Sequence, residues 1–227
     1  MKRRLLLVFA IVLAGCGDRV EQYVLPDQVS DFAALYKNNC AGCHGGDGRL
    51  GAARPLNDPV FLAVIGPEKL KDVIAKGVPS TAMPAFAQSG GGGLTDQQIA
   101  IVADQIETRW SRPQDFLSVA LPPYSADLGN PKNGEVVFRG YCASCHGEDG
   151  TGGSKAGSVI DPSFLALVSD QSLRTTVIAG RSDQGKPDWR SDSPGHSMTA
   201  QEISDVVAWV SAHRAPVNLT LRGTNLP

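Results

Sequence analysis

Apolar positions in this chain recur at helical rather than alternating spacing. Ile99, Val102 and Ile106 line one face of a stretch that follows Thr95, and Ile203, Val206, Val207 and Val210 do the same behind Thr199. Both stretches open with a capping box, Thr95-x-x-Gln98 and Thr199-x-x-Glu202, in which the Thr oxygen takes a free backbone N–H and the longer side chain reaches back. Two earlier helices are predicted. One opens on Ser30 as N-cap and runs to Cys40; the other opens on Asn130 with Pro131 in the first helical position. No segment alternates as a half-buried strand does, so the predicted class is all-α. Pro113, Pro122, Pro123 and Pro131 mark an extended connector, and residues 215–227 show no period at all.

The same unit occurs twice. Cys40-Ala41-Gly42-Cys43-His44 returns as Cys142-Ala143-Ser144-Cys145-His146, a shift of 102 (142 − 40). Asp58-Pro59-Val60-Phe61-Leu62-Ala63 then matches Asp161-Pro162-Ser163-Phe164-Leu165-Ala166 at a shift of 103 (161 − 58). That register holds through Gly77 and Gly180, Pro84 and Pro187, and Phe86 and Trp189, and one further inserted residue aligns Thr95 with Thr199. Order, spacing and residue type agree, as they do in a tandem duplication.

Composition narrows what such units are. The charge is nearly balanced, with 21 Lys and Arg against 23 Asp and Glu, so no clustered basic face points to nucleic acid. Gly (25) and Pro (15) are plentiful while aromatic residues make up only 6%, leaving each small unit short of core material. Domains of this kind need a staple such as a metal or cofactor. The N-terminus stands apart. Lys2, Arg3 and Arg4 precede an apolar run, Leu5 to Leu13, that is shorter than the ~20 residues of a spanning helix and fits a signal-peptide core. Leu13-Ala14-Gly15-Cys16 resembles the signal box of bacterial lipoproteins, which implies lipid on Cys16 and a mature chain outside the cytoplasmic membrane.

Cys-x-x-Cys-His is the attachment signature for c-type haem. Two thiols three positions apart reach the two vinyl groups of one porphyrin, and the following imidazole ligates iron from beneath. A Cys-x-x-Cys pair also serves as half of a zinc site or as a redox dithiol. A shared zinc would join two motifs that are each complete, and a thioredoxin-like pair wants a βαβ setting absent here. On Cys40, Cys43 and His44, on Cys142, Cys145 and His146, on the closing helices and on Met83-Pro84-Ala85-Phe86, the chain resembles the class I cytochrome c family over both units. The resemblance implies two covalently bound haem c groups. It also implies a division into signal peptide 1–16, tether 17–29, cytochrome c domain 30–112, linker 113–129, cytochrome c domain 130–214 and tail 215–227. One departure is visible: Gly134 keeps a first-helix glycine common in the family, whereas the first unit has Phe32 there. The contact between first and last helices is therefore expected to differ in the first unit.

In that family a Met-Pro segment supplies the sixth iron ligand, and Met83 fits by type and spacing. A thioether favours ferrous iron and raises the potential. For the second iron three residues compete. Met198 gives each unit one downstream Met but aligns with Leu94, before the capping box, where an apolar residue is expected. Lys186 takes the aligned place of Met83 but must lose a proton from a pKa of ~10.4 before it can bind metal. His196 carries a good donor on a loop. His213, ending the last helix, is expected to answer the helix dipole, and Gly90 to Gly93 to form a flexible loop.

The function expected is electron transfer at the outer face of the cytoplasmic membrane. Donor and acceptor proteins are the partners, with a membrane respiratory or photosynthetic complex as one setting. The alternative is a dihaem oxidoreductase resembling peroxidases or thiosulfate dehydrogenases, with chemistry at the second haem. All five Cys are already assigned, four to haem and Cys16 to lipid, which leaves none for the extra thiolate that some thiosulfate dehydrogenases use.

Overall fold

The computed structural model describes residues 24–79, 81–191 and 195–215. The signal segment with Cys16, and residues 216–227 of the tail, lie outside the described residues. Within them the chain is helical, with only isolated bridges and no strand. The first unit holds α1 (Phe32–Asn39), α2 (Ala41–His44), α3 (Pro59–Ile65), α4 (Pro67–Lys76) and α5 (Asp96–Trp110). The second repeats that order with α6 (Pro131–Tyr141), α7 (Ala143–His146), α8 (Pro162–Leu167), α9 (Asp170–Ala179) and α10 (Ala200–Ser211).

Helix starts follow side-chain capping. Asp31 caps α1 by accepting from Ala34 N at 2.8 Å, one residue beyond the expected Ser30; a carboxylate also answers the positive end of the helix. Asn130 caps α6, and both predicted capping boxes are formed, at Thr95 with Gln98 and at Thr199 with Glu202. Asp58-Pro59 and Asp161-Pro162 prove to be matched caps for α3 and α8, each Asp accepting from two backbone N–H groups with Pro in the first turn. The glycine run is a tight turn rather than a loose loop. Gly90 N and Gly92 N both donate to Ala87 O at 2.9 Å, and a Cβ on Gly92 would lie 2.2 Å from the backbone of Phe86. His213 lies just past α10, its Nδ1 2.9 Å from Trp209 O.

Each unit has its own core. Leu35, Phe61, Leu62, Leu70, Ile99, Val102 and Ile106 fill the first; Phe138, Ile178, Trp189, Ile203 and Val206 fill the second. The helix crossings differ as the Phe32/Gly134 contrast predicts. A Cβ on Gly134 would sit 2.0 Å from Asp205 O, so α6 and α10 touch backbone to backbone. In the first unit Trp110 of α5 stands edge-on to Phe32 and Tyr36 of α1, which tilt against each other, with centroids 5.4–6.3 Å apart, and the three border an open cleft of about 770 Å³.

The connector is fastened rather than free. Its Pro113–Phe116 segment forms a 3₁₀ turn that buries Phe116. Farther on, Pro123 O accepts two hydrogen bonds from Arg174, and Tyr124 O accepts one from Gln171 at 2.7 Å. The units also meet directly. Ser182 Oγ donates to Asp58 Oδ2 at 3.0 Å, Leu50 N donates to Asp183 Oδ2 at 3.1 Å, and Arg181 Nη2 donates to Gly51 O at 3.3 Å.

Candidate functional site

The two Cys-x-x-Cys-His motifs have the same backbone shape. Cys40 ends α1 and opens the one-turn helix α2, and His44 N donates back to Cys40 O at 3.0 Å. Cys142 and His146 repeat this at 3.0 Å around α7. One helical turn places the first and fourth residues on one face with the imidazole next to them. Gly45 and Gly147, at φ 85 and 80, then turn the chain sharply away.

All four thiols are free, none joined in a disulfide. Burial, with the neighbouring thiol adding to it, pushes Cys40 up to about 11 and Cys142 up to about 12, so both are neutral thiols at neutral pH. His44 Nδ1 lies 2.6 Å from Arg54 O, and His146 Nδ1 lies 2.7 Å from Gly157 O. A carbonyl only accepts, so each Nδ1 carries the proton, which leaves Nε2 as the ring atom that can face a metal. Burial also holds His44 below the usual imidazole range, which keeps it neutral and fit to bind metal. Two free thiols and one oriented imidazole, present twice, fit a covalent haem c at each motif. Sequence reasoning missed the two carbonyl acceptors, although the repeat holds their trace: 157 − 54 is again 103.

Sixth-ligand candidates fall in unlike places. Met83, half-buried, lies against Gly77, where an added Cβ would be 2.7 Å from Met83 O. Lys186 takes the matching place in the second unit, 2.6 Å from the same point on Gly180. Its backbone closes a turn with Arg181, and its Nζ donates to Lys155 O at 3.1 Å. Met198 is a core residue, 7% exposed, among Phe138, Trp189 and Ile203. Its N donates to Trp189 O at 2.9 Å just as Leu94 N donates to Phe86 O at 2.9 Å, so the two positions correspond in space as in sequence. His196 is held near the surface, with Nε2 3.0 Å from Tyr141 Oη and 3.2 Å from Glu202 Oε1.

The family described as cytochrome c oxidase, cbb3-type, subunit III matches the chain twice, over residues 27–105 and 129–210. The chain belongs to this family. Its two cytochrome c domains carry two covalently bound haem c groups. Relatives include the cbb3-type cytochrome c oxidase subunit FixP of Sinorhizobium medicae, 30% identical over 153 residues, covering 61% of this chain and 47% of that protein. The subunit CcoP of Cereibacter sphaeroides is 30% identical over 190 residues, covering 78% and 58%. A shorter match of 93 residues, 36% identical, covers 40% of this chain and 18% of the dihydro-heme d1 dehydrogenase of Pseudomonas aeruginosa. The chain spans about half the length of the oxidase subunits it matches. Among the described residues no helix is long and apolar enough to cross a membrane.

Proposed function

We propose that this protein is a dihaem electron carrier that relays single electrons between partner proteins at the outer face of the cytoplasmic membrane. A membrane respiratory or photosynthetic complex is its setting. The observation that carries this reading is the doubled constellation of two thiols and one Nδ1-bonded imidazole, at Cys40, Cys43 and His44 and at Cys142, Cys145 and His146. Haem supplies the one-electron iron couple when bound; the chain attaches it, orients it and sets its potential. The Cys side chains would form the thioethers. His44 and His146 would each offer Nε2 to the iron, held in register by Arg54 O and Gly157 O. Met83 would complete the first site. At the second site Lys186 stands in its place with its Nζ donating to Lys155 O, so the two sites offer iron unlike side chains. Met198 serves the core.

Met83→Leu is expected to abolish the weak far-red absorption of the ferric protein. It should also lower one midpoint by tenfold or more in the ferrous-to-ferric equilibrium, about 59 mV for a one-electron couple. Met198→Leu should leave that band intact; its loss there would instead make Met198 an iron ligand. The unlike second iron is also what would favour catalysis, and adding peroxide to the half-reduced protein separates the readings. A carrier shows no rapid spectral change, whereas a peroxidase does. Location rests on Cys16, with lipid as the anchor. Cys16→Ser should move the protein from the membrane fraction to the soluble periplasmic fraction, and retention on the membrane would refute the lipid anchor.

A further inference from the structure

The two units differ in what stands beside the imidazole that ligates iron. The carbonyls that accept from His44 and His146 belong to matching positions, but one residue is Arg54 and the other is Gly157. Gly157 is exposed and has nothing within 4 Å of where a Cβ would be. Arg54 folds inward. Its Nη2 donates to Thr176 Oγ1 at 2.7 Å, its guanidinium lies 5.3 Å from the Phe61 ring centroid, and its Nη1 is buried with no hydrogen-bond partner. The Thr176 hydroxyl gives its own proton to Ser172 O at 2.8 Å, so a lone pair is left for Arg54. Burial pulls Arg54 down to about 10, with Asp58 opposing, so it stays a cation at neutral pH.

Nearby carboxylates are engaged elsewhere. Asp58 accepts from Val60 N, Phe61 N and Ser182 Oγ. Asp183 forks with Arg181 at 3.0 Å and also accepts from Leu50 N. Among the described residues no carboxylate forms an ion pair with Arg54, so its charge is only partly offset.

We propose that Arg54 raises the reduction potential of the first haem above that of the second, and so sets the direction of electron flow from the second unit to the first. A half-buried cation next to the iron's histidine ligand favours the less positive, ferrous state, and in a low-dielectric setting the effect is several times larger than at an exposed site. At the matching position Gly157 brings no side chain, and Lys186 of that unit holds its Nζ on Lys155 O in an exposed hydrogen bond, where water screens its charge. If a haem carboxylate reaches Nη1 the sign is the same, because removing Arg54 then leaves that negative charge unopposed. Thr176 belongs to the second unit, so the charge is placed only while the two units are docked. This inference rests on the dihaem carrier reading.

The test is a potentiometric titration of the holoprotein and its Arg54→Gln and Arg54→Lys variants, with covalent haem per chain measured first. Arg54→Gln should lower the upper midpoint by tenfold or more in the ferrous-to-ferric equilibrium, about 59 mV for one electron. The lower midpoint should stay in place, and Arg54→Lys should retain most of the original value. Movement of the lower midpoint, movement of neither, an equal fall with Lys, or coincident midpoints in the unmodified protein would overturn the proposal. If Arg54→Gln does not hold two haems, Thr176→Val takes its place. It should lower the upper midpoint to a smaller extent, and no change there also overturns the proposal. Failure of the carrier reading itself shows separately, as a haem count other than two or the absence of one-electron steps in the unmodified protein.

Discussion

A chain carrying Cys142→Ser and Cys145→Ser is expected to bind one haem instead of two and to lose the fold of its second half. The second unit's buried core is split into two small clusters, one around Phe138, Trp189 and Met198 and one around Leu165 and Val210, and aromatic residues are only 6% of the chain. A domain of that size buries too little apolar surface to offset its chain entropy alone, so the porphyrin acts as core as well as cofactor. With the thiols gone, only His146 would hold it. A pyridine haemochrome assay should give one haem per chain, and the far-ultraviolet circular dichroism should fall as α6 to α10 unravel. Full helicity with one haem would show that the second unit folds without its cofactor.

Gly134→Ala is expected to destabilise the second unit by about 3 kcal/mol or more, at the upper end of what overpacking costs. The new Cβ would meet Asp205 O at 2.0 Å and Trp209 Cβ at 2.8 Å, and backbone atoms cannot swing aside as a flexible side chain does. The clash also disturbs Asp205, a buried residue whose Oδ1 accepts from Asn130 N at 2.7 Å and from Gln201 Nε2 at 2.8 Å. Gly157→Ala, at a position with open space around it, should stay within about 0.5 kcal/mol. Urea unfolding of the holoproteins compares the two. Equal midpoints would mean that α6 and α10 are not in backbone contact.

These residues also show what a sequence can reveal. The duplicated motif, both capping boxes and the Phe32/Gly134 contrast are local or periodic features, and local physics fixes their outcome. Phe32 cannot fit where Gly134 does, so the first unit opens its helix crossing around an aromatic cluster. Asp58-Pro59 and Asp161-Pro162 stand out in the sequence as a repeat, and Asp before Pro twice over is also the helix-start signature of the caps they form. Arg54 with Thr176, Ser182 with Asp58, and Arg174 with Pro123 join residues 51 to 124 positions apart. Such polar pairings leave no period in the chain, so neither the docking of the units nor the fastened connector was readable beforehand. The sixth-ligand question sits between these cases. Register alone set Lys186 against Met83, and the fold added that Met198 packs where Leu94 packs.

The central claim is that one short chain holds two unlike haems for moving electrons. A spectropotentiometric titration of the unmodified protein, followed at the haem α-band and in the far red, tests it most directly. The account predicts two one-electron steps of equal amplitude, with the far-red band lost during the upper step alone and at the intensity of a single Met-ligated haem. One merged step, or a far-red band shared between both steps, would contradict it.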